Sequence, residues 1–338
     1  MRRWNRNSVL IGSVLVGAIA LAGCSSSDST TATHEDTGGH TGTEVHFSYT
    51  GETGPLHWGS LDTEWEVCGT GDAVNVSATY DEHSTQSPID IVTAGVALRA
   101  DNGTNAKAID LSGYTTPTDW TIANNGHTVQ VSYPTGGGEM AFKNATLGDK
   151  HYELLQYHFH TTSEHSVDGA SYAMEMHLVH KEVGADGHDV LDAEGNNVLA
   201  VLGVLFDDGT NYSDLGADNP FLASMLSNTG LTTNGGWPEE TDTVAAAGTS
   251  MDVAYALPTT IPATLAANGI TDAMTFYNYT GSLTTPPCTE SVQDWLVLAV
   301  PVTVSHTQAS DFMAAIGGHH NNRPIQELNG RTVTMGMN

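Results

Sequence analysis

From about Val45 onward the chain is a succession of short β-branched or alternating runs separated by Gly, Asn, Asp and Pro, and that texture limits the fold more than any other feature. Residues 128–133, 152–160, 172–180, 197–206 and 294–300 are rich in Val, Tyr, Leu or Phe and bounded by turn residues, so each reads as a strand. Helical signal is sparse. Residues 308–316 carry Phe312 and Ile316 at helical spacing, and residues 219–226 have Pro220 near their start. Many strands with few short helices predict a mainly β, α+β architecture, with one domain over residues 45–338. No repeat at a fixed period is present, and residues 184–195 read as a polar loop.

Charge narrows the function classes. Ten Lys and Arg against 39 Asp and Glu give a formal charge of −29, while the charged fraction is only 14%. The acidity therefore reflects a shortage of bases, and nucleic acid is excluded as a partner because phosphate binding needs clustered cations. Three of the ten cations, Arg2, Arg3 and Arg6, precede an apolar run over residues 9–22 that is short for a membrane span. The run closes on Leu21-Ala22-Gly23-Cys24, which resembles the lipobox of bacterial lipoproteins. This predicts a signal peptide over residues 1–23 and lipidation of Cys24. A Ser/Thr/Gly-rich tether follows over residues 24–44, in an exported protein anchored to a membrane and facing the periplasm or cell surface.

With Cys24 set aside, Cys68 and Cys288 remain, an even number in an exported chain. One disulfide is the natural inference, two free thiols being the other reading. Two cysteines are too few for a Cys-only zinc site, so a metal site must draw on His and carboxylates.

The run Gln156-Tyr157-His158-Phe159-His160 supplies them. On a strand, alternation sends Gln156, His158 and His160 to one face and Tyr157 and Phe159 to the other. In the next strand Glu175, His177 and Val179 share a face. Antiparallel pairing brings His177 opposite His158 and His160, giving three neutral imidazoles and an open fourth position, the pattern of a catalytic zinc site. Gln156 and Glu175 each stand two residues before a ligand on its own face, placed to accept the second ring N–H and fix the tautomer. Spacing alone leaves a cupin-like or other three-His site open.

Seven motifs in order make the reading specific: Gln86-Ser87-Pro88-Ile89-Asp90-Ile91, Asn124-Asn125-Gly126-His127, His158-Phe159-His160, Ser163-Glu164-His165, Glu175-Met176-His177-Leu178-Val179-His180, Leu283-Thr284-Thr285-Pro286-Pro287-Cys288 and Asn321-Asn322-Arg323-Pro324-Ile325-Gln326. Over roughly residues 45–331 the chain resembles the α-class carbonic anhydrases, in their exported bacterial form. The resemblance implies a large, twisted, mostly antiparallel central sheet with short peripheral helices and a conical cleft. It implies a Zn2+ cofactor on His158, His160 and His177, with Gln156 and Glu175 behind them, and reversible hydration of CO2 to bicarbonate and a proton by zinc-bound hydroxide.

Further roles follow position by position. Thr284 matches the threonine that accepts from the hydroxide and donates to a buried carboxylate, Glu164. Thr285 matches the bicarbonate site, and Val179, Val201 and Leu283 match the apolar wall for CO2. His127 matches the proton shuttle, with Asn124 implied to help hold the water chain. Cys68 and Cys288 match the disulfide of exported members, and His165 and His180 match structural positions. Two departures stand out: Thr161-Thr162 before the Ser-Glu-His motif, and residues 291–295, one residue longer than usual, which leaves Val292 or Trp295 to line the pocket. A non-catalytic metal-binding or adhesion protein on the same fold is the alternative reading. A homodimer is compatible with the sequence, which does not itself fix the oligomeric state.

Overall fold

The computed structural model describes residues 45–69, 83–98, 109–114, 119–133, 136–144, 148–240, 242–245 and 252–337. The signal, Cys24 and the tether lie outside the described residues. In chain order the strands are β1 (Asp90–Ile91), β2 (Ala97–Leu98), β3 (Ile109–Tyr114), β4 (Thr121–Asn124) and β5 (Val129–Ser132). Next come β6 (Gly138–Asn144), β7 (Gly148–His160), β8 (Ser166–Val167), β9 (Met174–Val183) and β10 (Leu199–Asp207). The last are β11 (Thr243–Ala245), β12 (Phe276–Gly281), β13 (Val292–Leu298), β14 (Val302–Thr303) and β15 (Thr334–Gly336). Among the described residues four short α-helices accompany them: α1 (Trp58–Leu61), α2 (Pro220–Ser227), α3 (Ala263–Ala267) and α4 (His306–Ala315).

Thirteen of the described strands form one sheet, whose main path runs β11-β4-β5-β7-β9-β10-β13-β12-β15-β2. Most neighbours are antiparallel, whereas β10 runs parallel to β13 and β14, and β15 parallel to β2. The expected mainly β architecture is therefore present, as a mixed sheet. The two stronger helices begin where local chemistry predicts. Asn219 Oδ1 accepts the Leu222 N–H at 3.0 Å ahead of Pro220, and Ser305 and Gln308 form a capping box at α4. Among the described residues no helix is long and apolar enough to cross a membrane. The polar loop at 184–195 is a hairpin extension of β9, in which Val190 and Val198 continue the ladder.

The sheet has an apolar core on each face. Behind it, Tyr157, Phe159, Met176, Leu178, Leu202 and Val204 join α2 and α4 in the larger core. In front, Val179, Val201, Trp295 and Val297 form the smaller one. Two irregularities set which residue faces which way. The β7/β9 register shifts between Leu154 and Gln156, so Leu154 turns to the back core while Gln156 turns to the front. On β13, Leu199 pairs with Val292 and Ala200 with Asp294, so Gln293 bulges out. The extra residue seen in the sequence is absorbed there. It leaves both Val292 and Trp295 buried on the front core.

Candidate metal centre

The register of β7 against β9 places His158 directly opposite His177, with His160 opposite Glu175. The three imidazoles converge, their ring centroids 4.6 to 5.3 Å apart. Each has one nitrogen occupied. His158 Nδ1 bonds Gln156 Oε1 at 2.9 Å, His160 Nδ1 bonds the Asn321 carbonyl at 2.9 Å, and His177 Nε2 bonds Glu175 Oε1 at 2.9 Å. Each acceptor requires a ring N–H, so the opposite nitrogen carries a lone pair. One nitrogen of each ring lies within 4.8 Å of one in each of the others, an arrangement able to hold a metal ion.

Burial supports neutral rings. It drives the His158 pKa well below the ordinary imidazole value, pushes His160 down to about 4 and lowers His177. His160 Nε2 is buried and meets no hydrogen-bond partner, the state expected of a donor atom reserved for an ion. His158 is the half-buried member of the three. A second group, His165, Glu175 and His177, also converges. There the carboxylate oxygen lies 2.7 and 2.9 Å from the two ring nitrogens, at hydrogen-bond length, and accepts from both rings.

Glu164 lies beside the imidazoles, its Oε1 3.5 Å from His160 and its Oε2 3.8 Å from His177. Oε1 also accepts the Arg323 N–H at 2.8 Å. Burial pushes Glu164 up to about 7, opposed by His177, the Thr284 hydroxyl and the Arg323 N–H. A dication on the nearby imidazoles would favour its charged form further. Thr284 thus sits against this carboxylate, although no donor reaches Oε2 at full hydrogen-bonding geometry.

The loop carrying Thr284 and Thr285 is stapled on several sides. The Leu283 N–H reaches Thr289 O at 3.0 Å, and Trp295 Nε1 reaches Ser282 O at 3.1 Å. Gln86 Nε2 donates to Cys288 O at 3.1 Å, and Cys68 and Cys288 form the expected disulfide. Arg323, 1% exposed, ties the same region together through Ser87 O at 2.7 Å and Cys68 O at 2.6 Å. Thr285 is half-buried at the loop surface.

The apolar residues named from the sequence gather as well. Val179 faces Val201 across β9 and β10, Trp295 faces Val201 across β10 and β13, and Leu283 packs against the same cluster. Trp295 also packs edge-on to His177, with ring centroids 4.8 Å apart.

His127 is half-buried, and its ring stacks on Phe47 at 4.0 Å with an interplanar angle of 11°. Burial lowers its pKa, His46 and His319 add to the shift, and Glu240 opposes it. Asn125 Oδ1 shapes the turn beneath it by accepting the His127 and Thr128 N–H groups at 3.0 and 2.9 Å. The Asn124 side chain is fully buried, donates to Pro238 O and Ala315 O, and accepts the Gly126 N–H.

Three contributors escaped the sequence reading. The Asn321 carbonyl orients His160, but a backbone acceptor has no side-chain signature. Phe47 reads as an isolated aromatic near the tether. Gly203 lies opposite His177, where a Cβ would come 3.0 Å from Glu175 Oε1, and that close approach is invisible before pairing is known.

Comparison with known proteins agrees with this geometry. The family described as eukaryotic-type carbonic anhydrase matches residues 71–337. A carbonic anhydrase of Klebsiella pneumoniae is 33% identical over 291 residues, covering 85% of this chain and 90% of that protein. One from Pectobacterium carotovorum is 33% identical over 289 residues, covering 86% of this chain and 90% of that one. The solved α-carbonic anhydrase of Thermovibrio ammonificans, in complex with the inhibitor sulfanilamide, superposes with a TM-score of 0.60 at 31% identity, over 86% of this chain and 100% of that one. With the fold, the imidazole triad and these matches in agreement, the chain belongs to the eukaryotic-type, or α-class, carbonic anhydrase family.

Proposed function

We propose that the protein catalyses CO2 + H2O ⇌ HCO3− + H+ with a zinc ion held by His158, His160 and His177. The observation that carries this reading is the set of three neutral imidazoles, two buried and one half-buried. Each is locked by an acceptor on one nitrogen and presents the other to a common point. A zinc ion on three such ligands supplies Lewis-acid chemistry that lowers the pKa of a water from 15.7 to about 7.

The chain's own residues do the rest. Gln156, the Asn321 carbonyl and Glu175 hold the rings in the required tautomers. Thr284, poised against the Glu164 carboxylate, accepts a hydrogen bond from the attacking oxygen and so directs its lone pair. Val179, Val201 and Leu283 supply an apolar wall that suits uncharged CO2 and disfavours water, and Thr285 lines the bicarbonate site. His127, half-buried, takes the released proton outward, imidazole being the side chain whose ordinary pKa suits that task, although burial lowers that of this ring.

The same reading extends to location. The Cys68–Cys288 disulfide fits an oxidising compartment, and the lipobox-like sequence at Cys24 supports export and lipid anchoring. Replacing Cys24 with Ala is expected to release the chain from the membrane fraction; a variant that stays there sinks the anchor. Activity is tested by stopped-flow CO2 hydration, with metal content measured on the same sample. About one zinc per chain and chelator-sensitive hydration are expected. Stoichiometric zinc without hydration contradicts the proposed activity.

A further inference from the structure

On the back of the sheet, α2, α4 and the turn Asn234–Gly236 border a cavity of about 290 Å3. That is the small end of the roughly 300–1,000 Å3 that ligand sites occupy. Its walls are mostly apolar, from Ala223, Leu226, Leu231 and Trp237. Most of its polar lining is already engaged. Gln308 Oε1 accepts the Asn219 N–H at 2.7 Å and its Nε2 donates to Asn219 O at 3.1 Å, which ties α4 to the cap of α2. Ser227 donates to Ser224 O at 2.8 Å. Two polar groups are left over. Among the described residues the Asp311 carboxylate meets neither a hydrogen-bond donor nor a cation, and the indole Nε1 of Trp237, a fully buried residue, meets no acceptor. An acceptor-only group and a donor-only group thus stand unpaired around one cavity. The turn keeps the acceptor uncovered. Asn234, Gly235 and Gly236 are all left-handed, with φ of 46°, 64° and 96°, and a Cβ at Gly235 would lie 2.5 Å from Asp311 Oδ2. A run of left-handed residues is a backbone cost of the kind found at ligand clamps.

We propose that this cavity binds a small organic ammonium whose apolar body carries a hydrogen-bond acceptor, an amino alcohol being the simplest case. The ammonium pairs with Asp311, the body rests on Ala223, Leu226 and Leu231, and the acceptor takes the Trp237 N–H. An anion is repelled by the carboxylate, and a purely apolar molecule leaves both polar groups unpaired, so charge and polarity select the ligand. The site is separate from the metal centre. Trp237 packs edge-on to Phe159 with ring centroids 5.1 Å apart, and Phe159 points to the back of β7 while its neighbours His158 and His160 point to the front.

The proposal does not depend on the zinc reading, and its test keeps the two apart. Phenylethanolamine is titrated into the full chain, with and without zinc, by calorimetry and by NMR of the 15N-labelled indoles. One molecule per chain is expected, with the same affinity in both states and a shift of the indole N–H resonance that Trp237→Phe removes. Phenethylamine, which lacks the hydroxyl, should bind a few-fold more weakly, and phenylethanol, which lacks the ammonium, roughly 10-fold or more weakly. Asp311→Asn, at a half-buried position within α4, should cost the same roughly 10-fold in phenylethanolamine affinity. Ala223→Trp, on the exposed side of α2, should fill the cavity and abolish binding. Absence of saturable binding, wild-type affinity in Asp311→Asn, or a Trp237 indole resonance that stays in place while the probe binds overturns the proposal. Binding confined to the zinc-loaded chain would put the probe at the metal centre and overturn it as well. Should Asp311→Asn fail to fold, Ala223→Trp and the Trp237 resonance decide: full binding in the first, or no shift of the second, overturns the proposal.

Discussion

Strands β7, β9 and β10 build two environments from alternate residues of the same three segments. On the back face Tyr157, Phe159, Met176, Leu178 and Leu202 are wholly buried and meet other apolar side chains. On the front face Gln156, His158, His160, Glu175 and His177 meet one another through directed bonds at 2.9 Å or through a shared metal position. Volume and apolar area hold the first set, so a substitution there should cost stability in proportion to what is removed. Donor and acceptor pairing holds the second, so a substitution there should cost metal affinity or rate while leaving the fold largely intact. His180 crosses this division. It belongs to the back face, yet its Nε2 is bonded to the Tyr114 hydroxyl at 2.7 Å.

The sharpest way to separate the faces is to cut away the back one beneath the ligands. Phe159→Ala, between His158 and His160, should lower unfolding free energy by about 3–5 kcal/mol in urea titration, with zinc still bound in the folded fraction. A smaller effect comes from acid. Burial pushes His160 and His180, one on each face, down to about 4. Unfolded imidazole titrates near 6.5, so the unfolded chain takes up protons that the folded one refuses as pH falls between about 6.5 and 4. Stability of the metal-free protein is therefore full above that window and declines through it, by about 3 kcal/mol for each such ring. Glu164, pushed up to about 7, works in the opposite direction as pH falls from about 7 to 4.5 and makes the net loss smaller. Urea titrations above and within the window check the sign; stability that rises on acidification would contradict it.

Two milder changes probe the front face. His127→Ala should lower kcat by about 100-fold, the lower end for a positioned acid–base group, with kcat/KM for CO2 little changed and imidazole buffer restoring the rate. A fall in kcat/KM alone would place His127 in substrate binding. Gln156→Ala should weaken zinc about 10-fold with little change in urea midpoint, because the side chain contributes an orientation to His158 and little volume.

How much of this was legible follows from the same contrast. Alternation in 156–160 and 175–179 was enough to put the imidazoles and two of their acceptors on one face, because period-two patterning is local. Five strands of the central sheet, β5, β7, β9, β10 and β13, were readable to within a few residues for that reason. What local patterning could not carry was pairing between distant segments: the parallel β10/β13 contact, the bulge at Gln293, the Asn321 carbonyl behind His160 and the stack of Phe47 on His127. Nor could it show that the Asn124 amide, implied by the resemblance to help hold a water chain, bonds the carbonyls of Pro238 and Ala315.

Neighbouring residues on opposite faces test the account most directly. His177→Ala and Met176→Ala should be compared for zinc content, urea stability and stopped-flow CO2 hydration. The account predicts that His177→Ala folds but holds no stoichiometric zinc and hydrates CO2 at the uncatalysed rate, while Met176→Ala loses about 2–5 kcal/mol and keeps both zinc and activity in its folded fraction. Zinc and hydration retained without His177, or lost from folded Met176→Ala, would contradict it.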